Sequence, residues 1–292
     1  MSATELLVEP SRVSPVQRAV KGVLRSREAA IAGVLVLLVV ATTIKSPSFV
    51  FSHDGWRDLL LSPSLLLLLA IGEMVVIVTR NVDLSVGSVL GLSAYATGRV
   101  FIEHPGIPIV AVFVIGLLFG AFLGCINGLL VTAFKVPSLV ITLGTMYIYR
   151  GALVHWAGSK QIYAFNLPTS FQDLGTAQLL GIPVLTLIGF AVLAIVGYYL
   201  WTARGGRELY AIGSDPDAAK LYGLNVGKRV FGAFVLCGAL AGLAGVFSVA
   251  RYATAFAGTG RDLELQSVAA VVIGGVAIFG GSGTVWGAFL GA

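Results

Sequence analysis

The chain has 292 residues, of which 57% are hydrophobic and 11% charged, where a soluble domain carries roughly 45–50% and about 25%; its mean hydropathy of +0.93 is that of a chain solvated mainly by lipid. Its 37 glycines follow no Gly-x-y period and come with only 10 prolines, which excludes collagen and a disordered linker and leaves helix packing as their use. Two cysteines, Cys125 and Cys237, lie inside apolar runs and exclude a disulfide framework or zinc cluster, while the net charge of +5 comes without the basic, aromatic-interleaved stripe of a nucleic-acid binder.

The expected fold is all-α, a polytopic transmembrane helical bundle. Spans of about 20 mostly apolar residues fall at 28–44, 59–79, 84–102, 107–134, 136–157, 181–203, 230–250 and 267–281, so eight to nine spans are visible, the ninth begun at Gly283. Residues 1–27 carry Arg12, Arg18, Lys21, Arg25 and Arg27. That leader is too long and polar for a signal peptide and has no cleavage site after its apolar run. It is expected to remain as a cytoplasmic N-terminal segment, with a single transmembrane domain over 28–292. Alternating sides from there puts 12 of the 19 Lys and Arg inside, 6 outside and 1, Arg150, within a span, in keeping with the positive-inside bias. The sequence is still apolar at Ala292, with no charged anchor closing the helix, so the C-terminal end is expected to be truncated.

In chain order, the first polar group at membrane depth is Glu73, in a stretch from Leu65 to Val78 with no other charge. An ionised side chain there costs about 3 kcal/mol or more and turns to the protein interior. Glu73 therefore either belongs to a translocation path or is held structurally, by an Arg or by burial. Asp83-Leu84-Ser85-Val86-Gly87-Ser88, Lys135-Val136-Pro137-Ser138, and Gly274-Gly275 with Gly280-Gly281-Ser282-Gly283 interrupt apolar runs. Breaks at that depth are buried or line a cavity, so broken or re-entrant helices are expected, with surface turns the alternative for the first two. Gly116, Gly120, Gly124 and Gly128, then Gly238/Gly242 and Gly283/Gly287/Gly291, repeat every fourth residue. Such rows let helix backbones approach closely, either within one subunit or at a sliding or intersubunit face. Asn127 lies in the first row and can bridge helices or touch a polar ligand. Arg150, beside Tyr147 and Tyr149, can anchor at the outer headgroups. The outer segment 158–180, with Gln161, Tyr163 and Asn166, can form a lid or a docking surface.

Residues 204–229 form an inner loop that is organised. Ser214 or Asp215 can cap a helix starting at Pro216, Asp217 suits its positive end, and Gly223 can end it in the left-handed region. The short helix places Ala218, Leu221 and Tyr222 on one face, an apolar patch that nothing in the loop covers. That is the shape of a knob for a partner's groove, with an interfacial helix on lipid headgroups as the alternative.

At Asp217-Ala218-Ala219 with Gly223 the chain resembles the permease subunit of bacterial ATP-binding-cassette importers for simple sugars, whose coupling segment has Glu where this chain has Asp. Asp83-Leu84-Ser85-Val86-Gly87-Ser88, Asn127-Gly128, Val136-Pro137-Ser138 through Thr142-Leu143-Gly144-Thr145, Arg150-Gly151, and Ala269-Ala270 through Gly283-Thr284 follow in the family's order. Thr79-Arg80-Asn81-Val82-Asp83, Ile148-Tyr149-Arg150-Gly151 and Ala211 to Pro216 look closest to permeases associated with rhamnose, with the autoinducer-importing branch next. The resemblance implies ATPase coupling through Asp217, Ala218, Ala219, Leu221, Tyr222 and Gly223. For the substrate path it implies Glu73, Asp83, Asn127, Thr145 and Arg150. It also implies residence in the bacterial cytoplasmic membrane, cytoplasmic ATPase subunits that bind ATP and Mg, an extracytoplasmic sugar-binding protein, and a second permease copy or paralogue. This chain has no Gly-x-x-x-x-Gly-Lys-Ser/Thr loop, so no cofactor and no catalytic role are expected in it. The rival class is a stand-alone proton-coupled carrier of small polar solutes, with Glu73 as its proton site. An intramembrane enzyme finds no metal spacing or nucleophile elbow to support it.

Overall fold

The computed structural model describes residues 27–134 and 136–292. The basic leader predicted over 1–27 lies, Arg27 apart, outside the described residues, as does Lys135. The helices are α1 (Arg27–Lys45), α2 (Ser48–Phe51), α3 (His53–Val78), α4 (Val86–Glu103), α5 (Ile109–Phe134), α6 (Ser138–Ala157), α7 (Thr169–Thr176) and α8 (Val184–Thr202). They continue with α9 (Arg204–Ser214), α10 (Pro216–Leu221), α11 (Val226–Tyr252), α12 (Leu263–Ile273) and α13 (Val285–Gly291). Strand structure among the described residues is a two-residue hairpin, Gln178–Leu179 with Ile182–Pro183. The chain is thus a helical membrane bundle. Its count of clear crossings is smaller than the eight to nine apolar runs: five helices, α1, α3, α5, α8 and α11, are long and apolar enough to span. α4 and α6 coincide with two further runs but carry buried polar groups such as Ser88, Ser93 and Thr97, or Thr142 and Thr145.

The eighth run does not form one span. α12 stops at Ile273 because the chain turns at Gly274-Gly275, the latter at φ +84°, a region glycine enters without steric cost. α13 then returns antiparallel to α12. A Cβ on Gly274 would lie 2.1 Å from the Gly287 carbonyl oxygen, and one on Gly291 would lie 1.9 Å from that of Ala270. The glycine row at 283–291 is used for this hairpin of half-helices.

α11 is the central helix, packed on α3, α4 and α5. The two longer-range glycine rows face one another across α5 and α11. Added Cβ atoms on Gly120, Gly124 and Gly242 would meet the carbonyl oxygens of Gly238, Phe234 and Gly116 at 2.2, 2.4 and 2.1 Å. Backbone meets backbone within one subunit, where dispersion and Cα–H···O contacts replace the hydrophobic drive that lipid does not supply. Pro63 sits inside α3 and removes a helical donor. On the same turn, the carbonyls of Leu60 and Leu61 also accept from Thr186 Oγ1 and Arg251 Nη1, both at 3.0 Å. In the segment 158–180, α7 buries Phe171 against Phe101 and Phe113, while Tyr163 and Phe165 stay exposed.

Candidate functional site

The polar cluster is built on the break between α3 and α4. Unwound backbone at membrane depth needs partners, and each amide from Val82 to Ser85 finds one on a side chain. Val82 N–H donates to Ser138 Oγ at 3.1 Å, Asp83 N–H to Glu73 Oε1 at 3.0 Å, and Leu84 N–H to Thr142 Oγ1 at 3.1 Å. Ser85 donates from both its amide and its hydroxyl to Asp83 Oδ1, at 2.9 and 2.7 Å. Asn127, from the glycine face of α5, donates to Ser85 Oγ at 2.7 Å and more weakly to both Asp83 oxygens at 3.4 Å. The Tyr149 hydroxyl on α6 lies 3.0 Å from the Leu123 carbonyl and 3.2 Å from Asn127 Oδ1, and its single proton serves one of them at a time.

Glu73, Asp83 and Asn127 are sealed from solvent, at 0%, 1% and 0% exposure. Glu73 Oε2 has no hydrogen-bond partner, and neither carboxyl group has an ion-pair partner among the described residues. The arginine partner considered for Glu73 is therefore not there, and its partner is the backbone of a second acidic residue. Thr145 is buried on the same face of α6, with its hydroxyl turned onto the Thr142 carbonyl at 3.2 Å. Arg150 is elsewhere. It donates to the Thr259 carbonyl at 2.6 Å and ties α6 to the loop before α12. Of the five residues expected for a substrate path, three come together, Thr145 flanks them and Arg150 does not join. Ser85, Ser138, Thr142 and Tyr149 complete the cluster without having been singled out. The last three, with Thr145, form a polar stripe at spacings of four, three and four on α6, the periodicity of one helix face.

A second feature lies at the loop end. Asp215 caps α10, its Oδ1 accepting from Asp217 N–H and Ala218 N–H at 3.0 Å each, and these bonds, Ala218's foremost, hold its carboxyl below the usual carboxylate range. Gly223 follows in the left-handed region at φ +78°, as the cap pattern required. Of the predicted face, Ala218 is half-buried and Leu221 and Tyr222 stand bare at 90% and 88% exposure, while Ala219 is buried. Asp217 pairs with Lys220 at 2.9 Å on the surface of α10. Upstream, Glu208 of α9 is gripped by Arg229 and Arg204, which hold its carboxyl low as well. Tyr210 donates to the Gly283 carbonyl at 3.0 Å, and burial pushes its phenol up. A groove of 1160 Å³ between α8 and α13, lined by Phe190, Trp201, Trp286 and Phe289, stands apart from the polar cluster and reaches Tyr210 and Gly283 at the loop end.

The sequence matches the family described as branched-chain amino acid transport system, permease component, over residues 57–292. The autoinducer 2 import system permease protein LsrC of Enterobacter sp. (strain 638) is 37% identical over 276 residues, which cover 93% of this chain and 78% of that protein. The protein of the same description from Klebsiella pneumoniae subsp. pneumoniae is 37% identical over 274 residues, with the same 93% and 78% coverage. That of Escherichia coli (strain K12 / DH10B) is 36% identical over 233 residues, covering 79% of this chain and 66% of its own length. No solved structure matches the chain. With the match running from within α3 to the end of α13, the chain belongs to the transport-system permease-component family, of the simple-sugar type and its autoinducer branch.

Proposed function

We propose that this permease component forms the translocation path of an ATP-driven importer and passes the work of a separate cytoplasmic ATPase into the membrane through α10. An extracytoplasmic binding protein and a second permease, identical or paralogous, complete the assembly. The observation that carries this reading is the capped helix Pro216–Leu221 with Leu221 and Tyr222 bare at its end. Two large apolar side chains on a rigid two-turn knob have the shape of an anchor for a partner's groove. The bias of Lys and Arg supports a cytoplasmic N-terminus with this knob on the same side.

The cargo that the relatives' names support is autoinducer-2, in place of the rhamnose that the sequence motifs favoured. Either is a small, hydroxyl-rich solute. Glu73, Asp83, Asn127 and Ser85 offer such a solute acceptors and donors once the bundle opens, and their present burial corresponds to a closed path. Were α4 and α6 to cross beside the five longer helices, the bundle would have seven full spans, with the α12–α13 hairpin in the place of the eighth run.

A proton-coupled carrier has one observation in its favour, the sealed Glu73 and Asp83 pair. Vesicles holding the permease with its ATPase and binding protein separate the two. Uptake of autoinducer-2 that needs ATP and persists when a protonophore collapses the gradient supports the importer. Uptake by the permease alone that vanishes with the gradient overturns it.

A further inference from the structure

Three stretches distant in sequence meet at the foot of α3. The Val78 carbonyl, the last of α3, accepts from Gly281 N–H at 3.0 Å. Two residues on, Arg80 donates from Nε to the Gly213 carbonyl and from Nη2 to the Ser214 carbonyl, both at 2.5 Å. These are the final carbonyls of α9, which a helix end leaves without internal partners, and Ser214 directly precedes the cap of α10. The junction is built at backbone distance. A Cβ on Gly213 would lie 1.7 Å from the Val78 carbonyl oxygen, one on Gly280 would lie 2.6 Å from Arg80 Cγ, and one on Gly281 would lie 2.8 Å from Ser214 Cα. Arg80 itself holds φ at +63°, a conformation that only surrounding contacts sustain in a residue with a side chain. Immediately after it come the residues whose amides hold Glu73, Ser138 and Thr142.

We infer that Arg80 is a positioning residue that delivers displacement of α10 to the buried Glu73, Asp83 and Asn127 cluster. The planar guanidinium fork grips two successive carbonyls at once, so movement of α9 and α10 is passed to residues 81–85 instead of being absorbed at Asp215. A lysine, with one charged nitrogen, holds that junction less firmly. The inference rests on the reading of α10 as the ATPase contact, and its tests separate the two.

In the vesicle-embedded complex with ATPase and binding protein, Arg80→Ala is expected to assemble and hydrolyse ATP as the parent does. Cargo moved per ATP falls about tenfold, the loss expected for a bidentate charged hydrogen bond, and Arg80→Lys recovers part of it. Equal cargo per ATP in Arg80→Ala and the parent overturns the inference, as does loss of ATPase assembly in both variants, which marks a merely structural role. A second measurement needs no partner. In the purified chain, Asp215→Ala loosens α10 and is expected to speed amide exchange at Asn81 to Ser85 only while Arg80 is present. No response there to Asp215→Ala overturns the strut. Failure of the parent complex to couple ATP to uptake, with this exchange link intact, overturns the importer reading alone.

Discussion

Asn127 joins the break after α3 to both α5 and α6, donating to Asp83 and Ser85 and lying within reach of the Tyr149 hydroxyl. Its removal leaves buried polar atoms unpaired where no water replaces it. Asn127→Ala is expected to cost about 1–3 kcal/mol of stability, read as a lowered Tm in detergent, and Asn127→Asp to cost more by adding a third carboxyl to the site. At the loop, Glu208 and Asp215 both have folded pKa values below the ordinary carboxylate range. A depressed value means that the stabilisation is complete above the unfolded carboxylate value of about 4 and is lost as the pH falls through the folded one. Amide exchange over 217–221, corrected for its intrinsic rate, is therefore expected to stay slow from neutral pH to about pH 5 and to open at lower pH. Asp215→Asn keeps a capping oxygen without a titrating proton, so it should preserve α10 and remove its own share of the acid limb. Of these residues, Asp215 and Gly223 were legible because cap positions are local in sequence. The contact of Glu73 with Asp83 was not, because it crosses the end of a helix and no period links the two.

The seam between α5 and α11 makes helix packing a matter of single hydrogen atoms. Gly242→Ala places a methyl group 2.1 Å from the Gly116 carbonyl oxygen, and the backbones must part. A loss of about 1–3 kcal/mol is expected, as for overpacked cores. Gly232, on the same helix, has nothing within 4 Å of an added Cβ, so Gly232→Ala is expected to be neutral or to stabilise by up to about 1 kcal/mol. Thermal unfolding of the two variants side by side checks the seam against a control on its own element. The rows were visible in the sequence as a four-residue period, but a period does not name its partner. The pairing of one row with the other, within one subunit, needed the antiparallel contact of α5 and α11. The run at 267–281 misled for a related reason: hydropathy averages over Gly274-Gly275, whereas the backbone turns there and makes two half-helices.

At the scale of the whole molecule, a tightly packed set of central helices meets the loop-end elements at their foot. The glycine seam and the buried core of α3, α4, α5 and α11 pack together, and the loop-end elements join them at several places: the α12–α13 hairpin along α3 and α4, α9 on α11 through Glu208 and Arg229, and both around Val78, Arg80 and Gly281. Under the proposed function, an ATPase acting from the loop end would find its purchase on Leu221 and Tyr222 and a route inward through Arg80. The most direct test is uptake of autoinducer-2 into ATP-loaded vesicles that carry the permease with its ATPase and binding protein, comparing the parent with the double variant Leu221→Ala, Tyr222→Ala. The account predicts that the double variant folds with an unchanged Tm, because both side chains are exposed, and loses ATP-dependent uptake by about tenfold or more, the effect of truncating two anchors of an interface. Undiminished uptake by that variant, with ATP consumed at the parent's rate, would contradict it.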